Sequence, residues 1–251
     1  MINLRLTMES GQPPEFLWIK NKNKYTRLLN GREVALWQEG EEIKSERLSH
    51  NYLEEFLRLD DNLREIYEVI GSEIKMKEAI KEFKGLRITR NDLWETTASF
   101  ICSINSNIPR ISKNVQCLLG KDGNMPLELY SQDLSYVKLG FRERYIRETS
   151  RLIAGGFLDG IEKLGYHEAR EKLIKLPGVG PKVADCILLF GLGKLEAFPV
   201  DVWIARAMKR YFKIEGEKKV RAFARKEWHP YEGYAQQYLY MKVRRDFGKV
   251  R

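Results

Sequence analysis

One short run constrains this chain more than any other: Leu176-Pro177-Gly178-Val179-Gly180-Pro181, between two apolar, helix-forming segments. A helix does not continue through Pro177-Gly178, and Pro181 suits the first position of a new one. The stretch Leu173–Phe212 therefore predicts a helix, a tight turn and a second helix over Pro181–Phe190. A further break, Phe198-Pro199-Val200-Asp201, opens a third helix. Gly178 and Gly180 let the backbone approach another molecule closely. The N–H groups that start the following helix lack intrahelical partners and favour an anion. Such a hairpin suits a phosphate grip that reads no base sequence. An ordinary helix–helix turn is the plain alternative.

Two side chains at these helix starts carry possible chemistry. Lys182 falls in the first turn, where the positive end of the helix dipole disfavours an ammonium. An amine must be neutral to attack carbon, so the location suits a nucleophile. A phosphate-contacting or solvated lysine is the alternative. Asp201 stands where a helix cap belongs. A capping carboxylate is ionised and fixed, so it can also assist Lys182 and stabilise positive charge on a sugar carbon. Cys186, one helical turn beyond Lys182, reads as a packing neighbour.

Charge points towards a polyanion. The net charge is +9 over 251 residues, and the whole excess lies in residues 205–251, with 14 basic against 5 acidic side chains. That distribution fits nucleic acid, or else a solvated basic face. No apolar run approaches the ~20 residues that span a bilayer, and MINLRLTMES lacks a signal-peptide core. A soluble, intracellular protein is expected, cytoplasmic or nucleoid-associated in a prokaryote, with no membrane partner. Cys102, Cys117 and Cys186 show no paired spacing, and the histidines are far apart. A disulfide framework and a zinc cluster are both disfavoured.

Residues 1–48 read as short strands of an antiparallel sheet with one face buried. Ile2–Leu6 and Glu33–Gln38 alternate, with turns at Asn21–Lys24 and Asn30-Gly31. From Ser49 the apolar spacing becomes helical through Tyr52, Phe56, Leu63, Ile66, Ile70 and Ile74, and on to Phe83. Helices are expected at Leu93–Ile104, capped by Asn91-Asp92, and at Ile108–Leu119, Gly140–Ala154, Gly160–Lys175, Val202–Phe212 and Tyr234–Phe247. Lys121–Pro126 reads as a loop.

Gly178-Val179-Gly180-Pro181-Lys182 followed by Pro199-Val200-Asp201 resembles the helix–hairpin–helix plus Gly/Pro…Asp motif of base-excision DNA glycosylases. A lysine after the hairpin marks the branch that also nicks abasic sites. Within that superfamily the chain most resembles the 8-oxoguanine DNA glycosylases. The resemblance covers most of the length. It implies an α+β fold: a small N-terminal antiparallel sheet with a helix over residues 1–85, then a mainly α-helical glycosylase region over 86–251.

The resemblance also implies roles. Lys182 and Asp201 would be catalytic. Ser10-Gly11-Gln12 is similar to a family segment whose glycine carbonyl accepts the N7–H that 8-oxoguanine has and guanine lacks. Gln236 would bond the Watson–Crick edge of the extruded base, and Tyr240 would stack on it where the family usually has Phe. Asn105 and Arg110 match residues facing the orphaned cytosine, and Arg142 would join them. Phe141 would fill the base stack where the family usually carries Tyr. Asn107, Gly178, Gly180 and Val183 complete the DNA-contacting set. Backbone carbonyls of Ile174, Leu176 and Val179 would hold one monovalent cation, K⁺ or Na⁺. No other cofactor is implied, and no cysteine follows Cys186 to build an iron–sulfur cluster. Trp203 departs from the family, standing where many members have a phosphate-contacting histidine. The N-terminal part is also short for the family.

The expected partner is damaged double-stranded DNA, bound by a monomer. Two other readings stay open: a glycosylase for another damaged purine, and a non-catalytic helix–hairpin–helix DNA-binding module. For the first, Lys182 argues against a purely monofunctional enzyme and Gly11 with Gln236 argues for an oxidised purine; the second would make the pairing of Lys182 with Asp201 a coincidence.

Overall fold

The computed structural model describes residues 1–119 and 129–248, so the predicted loop Lys121–Pro126 lies outside the described residues. Asn3 decides how the chain begins. Its side chain accepts the Leu6 N–H at 3.0 Å, capping helix α1 (Leu4–Met8). The strand expected over Ile2–Leu6 is therefore overturned. Five alternating residues are too few to separate a period of 2 from a helix, and the helix buries Leu4, Thr7 and Met8. A second short helix, α2 (Pro13–Leu17), starts on a proline pair and was not foreseen.

A four-stranded antiparallel meander follows, in the order β1 (Ile19–Asn21), β2 (Lys24–Leu29), β3 (Arg32–Glu39), β4 (Glu42–Glu46). Asn30 and Gly31 take φ values of 51° and 71°, which suits the turn between twisted strands. Tyr25 pairs with Leu36 on the inner face, and both join the core with Val34. Trp37 pairs with Lys24, whose ammonium lies 3.9 Å from the indole centroid.

The helical run from Ser49 is cut into α3 (His50–Phe56), α4 (Leu63–Ile70) and α5 (Ile74–Glu82). Ser49 and Asn62 cap the first two through their side chains. Next come α6 (Leu93–Cys102), α7 (Ile108–Leu119), α8 (Arg142–Ala154), α9 (Tyr166–Ile174), α10 (Pro181–Phe190), α11 (Val202–Ala207), α12 (Glu217–Trp228) and α13 (Glu232–Phe247). The single helix expected over Gly160–Lys175 is instead a 3₁₀ turn at Ile161–Lys163 and then α9, broken around Gly165. α11 widens into a π turn at Met208–Phe212. α12 was not foreseen. No helix among the described residues is long and apolar enough to cross a membrane.

Helix α13 ties the N-terminal residues to the helical region. It packs on α4 and α5 and also on α11 and α12. Its Tyr238 hydroxyl donates to the Leu86 carbonyl at 2.9 Å, and its Tyr234 hydroxyl donates to Asp61 at 2.6 Å. Leu4, Leu36, Ile66, Leu173, Ile187 and Leu239 belong to one core cluster. The N-terminal loop and the C-terminal helix are thereby brought to one place.

Candidate active site

Gln12 anchors the N-terminal loop. Fully buried, it donates from Nε2 to the Arg87 carbonyl at 2.9 Å and the Ser10 hydroxyl at 2.9 Å, and accepts the Thr89 N–H at 2.9 Å. Gly11, beside it, has φ +77°, and a Cβ there would lie 2.7 Å from the Tyr240 ring. Only glycine satisfies both conditions. The Gly11 N–H donates to the Glu15 carboxylate, while Nε2 of Gln237 donates to the Ser10 carbonyl at 2.7 Å. Among the described residues the Gly11 carbonyl accepts no hydrogen bond.

Gln236 lies one helical turn before Tyr240 on α13. Its side chain is 6% exposed, and its Oε1 is buried without a partner among the described residues. An unmet buried acceptor costs about 1–3 kcal/mol, which an entering donor would remove. Burial pushes the Tyr240 hydroxyl up to about 12, Arg244 opposes the shift, and Asp201 and Glu15 add to it. The Arg244 guanidinium lies 5.2 Å from the Tyr240 centroid. Gly11, Gln236, Tyr240 and Asp201 thus come together from distant parts of the sequence.

The hairpin is braced from α8. Thr149 donates to the Pro177 carbonyl at 3.2 Å. Gly178 has φ +78°, and a Cβ there would lie 2.6 Å from the Tyr145 ring. Gly178 is therefore required by close packing against Tyr145. Gly180 differs, because a Cβ built on it meets nothing within 4 Å. The N–H groups of Gly180, Lys182 and Val183 donate no hydrogen bond among the described residues. This is an open, anion-favouring helix start. The Val183 side chain is buried, so only its backbone suits a DNA contact.

Lys182 is half-buried, with its ammonium 5.0 Å from the centroid of Phe100, whose ring face attracts a cation. Asp201 caps α11, accepting the Ile204 N–H at 2.8 Å. Both charges act on the Cys186 thiol, which burial pushes up to about 12, with Lys182 pulling down and Asp201 pushing up. A thiol so raised stays protonated and is a packing neighbour, as its spacing suggested.

The start of helix α8 places two further residues that the sequence pointed to. Phe141, just before it, is 53% exposed and packs edge-on to Tyr145 with centroids 6.0 Å apart. Arg142 is buried. Its guanidinium donates to the carbonyls of Ile104 at 2.6 Å, Asn105 at 2.7 Å and Leu139 at 3.1 Å. It therefore holds the Asn105 turn from behind. Asn105, with φ +47°, and Arg110 are exposed, whereas the Asn107 side chain caps α7 by accepting the Arg110 N–H at 3.1 Å. Trp203 stacks with Arg206, whose guanidinium is 5.2 Å from the ring centroid.

Glu15, Gln237, Arg244 and Tyr145 were not singled out from the sequence. Gln237 and Tyr145 act through partners far along the chain, whereas Glu15 and Arg244 each act on a residue four positions back. Two cavities lie elsewhere: about 680 Å³ lined by Arg27, Tyr52, Arg90 and Glu95, and about 350 Å³ lined by Tyr166, Arg170 and Arg221. The space over Gly11 is covered by the Tyr240 ring.

Residues 1–97 match the family model for the N-terminal domain of 8-oxoguanine DNA glycosylase. A probable N-glycosylase/DNA lyase of Methanothermobacter thermautotrophicus is 44% identical over 127 residues, which is 49% of this chain and 41% of that protein. The chain thus spans less than half of that relative. Among solved structures, MBOgg1 in complex with a low-affinity DNA ligand aligns with a TM-score of 0.91 and 32% identity, covering 99% of this chain and 93% of that one. The Clostridium acetobutylicum 8-oxoguanine glycosylase/lyase, bound to DNA with cytosine opposite 8-oxoguanine, aligns with a TM-score of 0.89 and 28% identity. That alignment covers 98% of this chain and 92% of that one.

Proposed function

The chain belongs to the 8-oxoguanine DNA glycosylase family, and from that premise we propose that it excises 8-oxoguanine opposite cytosine and nicks the strand at the resulting abasic site. The observation that carries this reading is the meeting of the two ends of the chain. Gly11, with its unclaimed carbonyl, lies against Tyr240, one turn from the unpartnered Oε1 of Gln236.

The open start of α10 takes a DNA phosphate, and the exposed Phe141 fills the stack vacated by the extruded nucleotide. Asn105 and Arg110 face the orphaned cytosine, and the buried Arg142 holds the Asn105 turn. Once Tyr240 swings off Gly11, the base enters. The Gly11 carbonyl accepts its N7–H, whereas guanine would set a lone pair against that carbonyl. Gln236 bonds the Watson–Crick edge and Tyr240 stacks on the ring. The Lys182 amine attacks C1′ as the glycosidic bond breaks, its electrons leaving with the base. The C1′–O4′ ring bond then breaks as the nitrogen lone pair forms the protonated Schiff base, with a proton passing from the adduct nitrogen to O4′, and abstraction of a C2′ proton expels the 3′ phosphate. Asp201 stabilises the positive charge that develops on the sugar.

A monovalent cation fits the hairpin. Among the described residues the carbonyl of Ile174 accepts no backbone N–H beyond its own helix, that of Val179, in the turn, accepts none, and that of Leu176 accepts only Val179 N–H at 3.0 Å. Held there, it would set a positive charge against a backbone phosphate.

Borohydride trapping tests the reading. A covalent complex with DNA carrying 8-oxoguanine opposite cytosine is expected, and Lys182→Gln abolishes it. A Lys182→Gln protein that still traps and nicks would overturn the nucleophile assignment. Excision of alkylated purines with no action on 8-oxoguanine would overturn the substrate.

A further inference from the structure

How the Gly11 carbonyl is aimed rests on the reading above and takes it one step further. Three successive carbonyls line this loop. That of Ser10 accepts from Gln237 Nε2 at 2.7 Å, and that of Gln12 accepts the Glu15 N–H at 3.0 Å. Between them, the Gly11 carbonyl alone is unclaimed among the described residues. The peptide preceding it is gripped at both ends, its oxygen by Gln237 and its N–H by the Glu15 carboxylate. Glycine has the freest backbone of any residue, so an ungripped Gly11 would sample many orientations.

Glu15 stands third in α2. In a capping box such a residue reaches back to the N–H of the cap itself. Here it passes over Gln12 and takes the N–H of Gly11. Neither Pro13 nor Pro14, which lie between Glu15 and the cap, has an N–H of its own to offer the carboxylate. The Glu15 backbone is itself fixed, its carbonyl accepting from the Ser112 hydroxyl at 3.2 Å. We propose that Glu15 is a positioning residue for lesion recognition: with Gln237 it clamps the Ser10–Gly11 peptide and so aims the Gly11 carbonyl at the extruded base. Gln237 lies beside Gln236 on α13, so one helix reads the base and holds the loop that also reads it.

The test is equilibrium binding in the Lys182→Gln background, where no turnover occurs. Three duplexes are compared, with 8-oxoguanine, guanine or a tetrahydrofuran abasic analogue opposite cytosine. Glu15→Leu is expected to lower the 8-oxoguanine-over-guanine ratio by about tenfold and to leave tetrahydrofuran binding within about twofold. Gln237→Leu does the same. Glu15→Gln restores the ratio to within about threefold, since its amide oxygen still accepts the Gly11 N–H. A ratio unchanged by Glu15→Leu overturns the clamp alone, as does a loss of tetrahydrofuran binding in step with the ratio. A Lys182→Gln protein that binds all three duplexes equally overturns the parent reading, and the clamp with it.

Discussion

Gly11 and Gly180 show what single residues do here. At Gly11 two constraints coincide, a left-handed φ of +77° and a Tyr240 ring 2.7 Å from any Cβ. A Gly11→Ala protein pays backbone strain and must displace Tyr240. Its single-turnover release of 8-oxoguanine should fall by at least about a hundredfold, because recognition through one acceptor tolerates little misplacement. Its cleavage of a preformed abasic site, which needs no base pocket, should stay near wild type. Equal loss of both activities would mean that Gly11 serves the fold and not the base. Serine–glycine–glutamine was visible as a motif in the sequence. Its mate Glu15 was not, because nothing local distinguishes a carboxylate that reaches back to Gly11 from one in solvent.

Among the elements, α8 mounts three functions on one rigid rod. Arg142 holds the Asn105 turn, Phe141 projects from the helix start, and Tyr145 with Thr149 braces the hairpin. The two hairpin glycines should therefore separate on substitution. Gly178→Ala combines a φ of +78° with a clash against Tyr145 and should lower stability by about 1–3 kcal/mol in chemical denaturation. Gly180→Ala, with open space around it and no positive φ, should leave the denaturation midpoint unchanged while weakening DNA binding by about tenfold. A reversed pattern would refute the division of labour. The hairpin, α7 and α10 were legible in the sequence because Pro, Gly and Asn punctuate them locally. Helix α1 was not, since its cap is one asparagine in a short alternating run.

Across the whole molecule, buried and half-buried tyrosines tie the parts together. Burial, reinforced by a carboxylate neighbour, raises Tyr25 beside Glu9, Tyr166 beside Asp185, Tyr211 beside Asp246 and Tyr234 beside Asp61. Burial, opposed by Arg27 and aided by Glu95, pushes Tyr52 up to about 12. Each of these protons is held more tightly in the folded chain than in the unfolded one. The stability they contribute is fully present below the ordinary tyrosine pKa of about 10 and is lost as pH rises beyond it. Alkaline titration should therefore show most tyrosinate absorbance appearing above that value, in step with loss of the far-ultraviolet helical signal. Tyrosines that ionise near their ordinary value while the helices persist would contradict this. Asp185 extends the same theme: fully buried, it accepts from Tyr166 at 2.9 Å, Arg170 at 2.8 Å and Arg221 at 2.6 Å.

The sequence by itself determined where the helix starts, caps and tight turns fall, and through its resemblance to a known family it pointed to the proposed reaction class. Helix starts, caps and tight turns depend on neighbouring residues, so Lys182, Asp201 and the hairpin can be read from spacing. Tertiary structure decided which residues serve each other. It set Gly11 against Tyr240, turned Arg142 inward to hold Asn105, assigned Gly178 to Tyr145, and left Gly180 open. Those outcomes depend on which surfaces α8 and α13 bury. Burial is a property of the packed whole, with its partners hundreds of residues apart in the case of Gln237 and Ser10, and no local pattern encodes it.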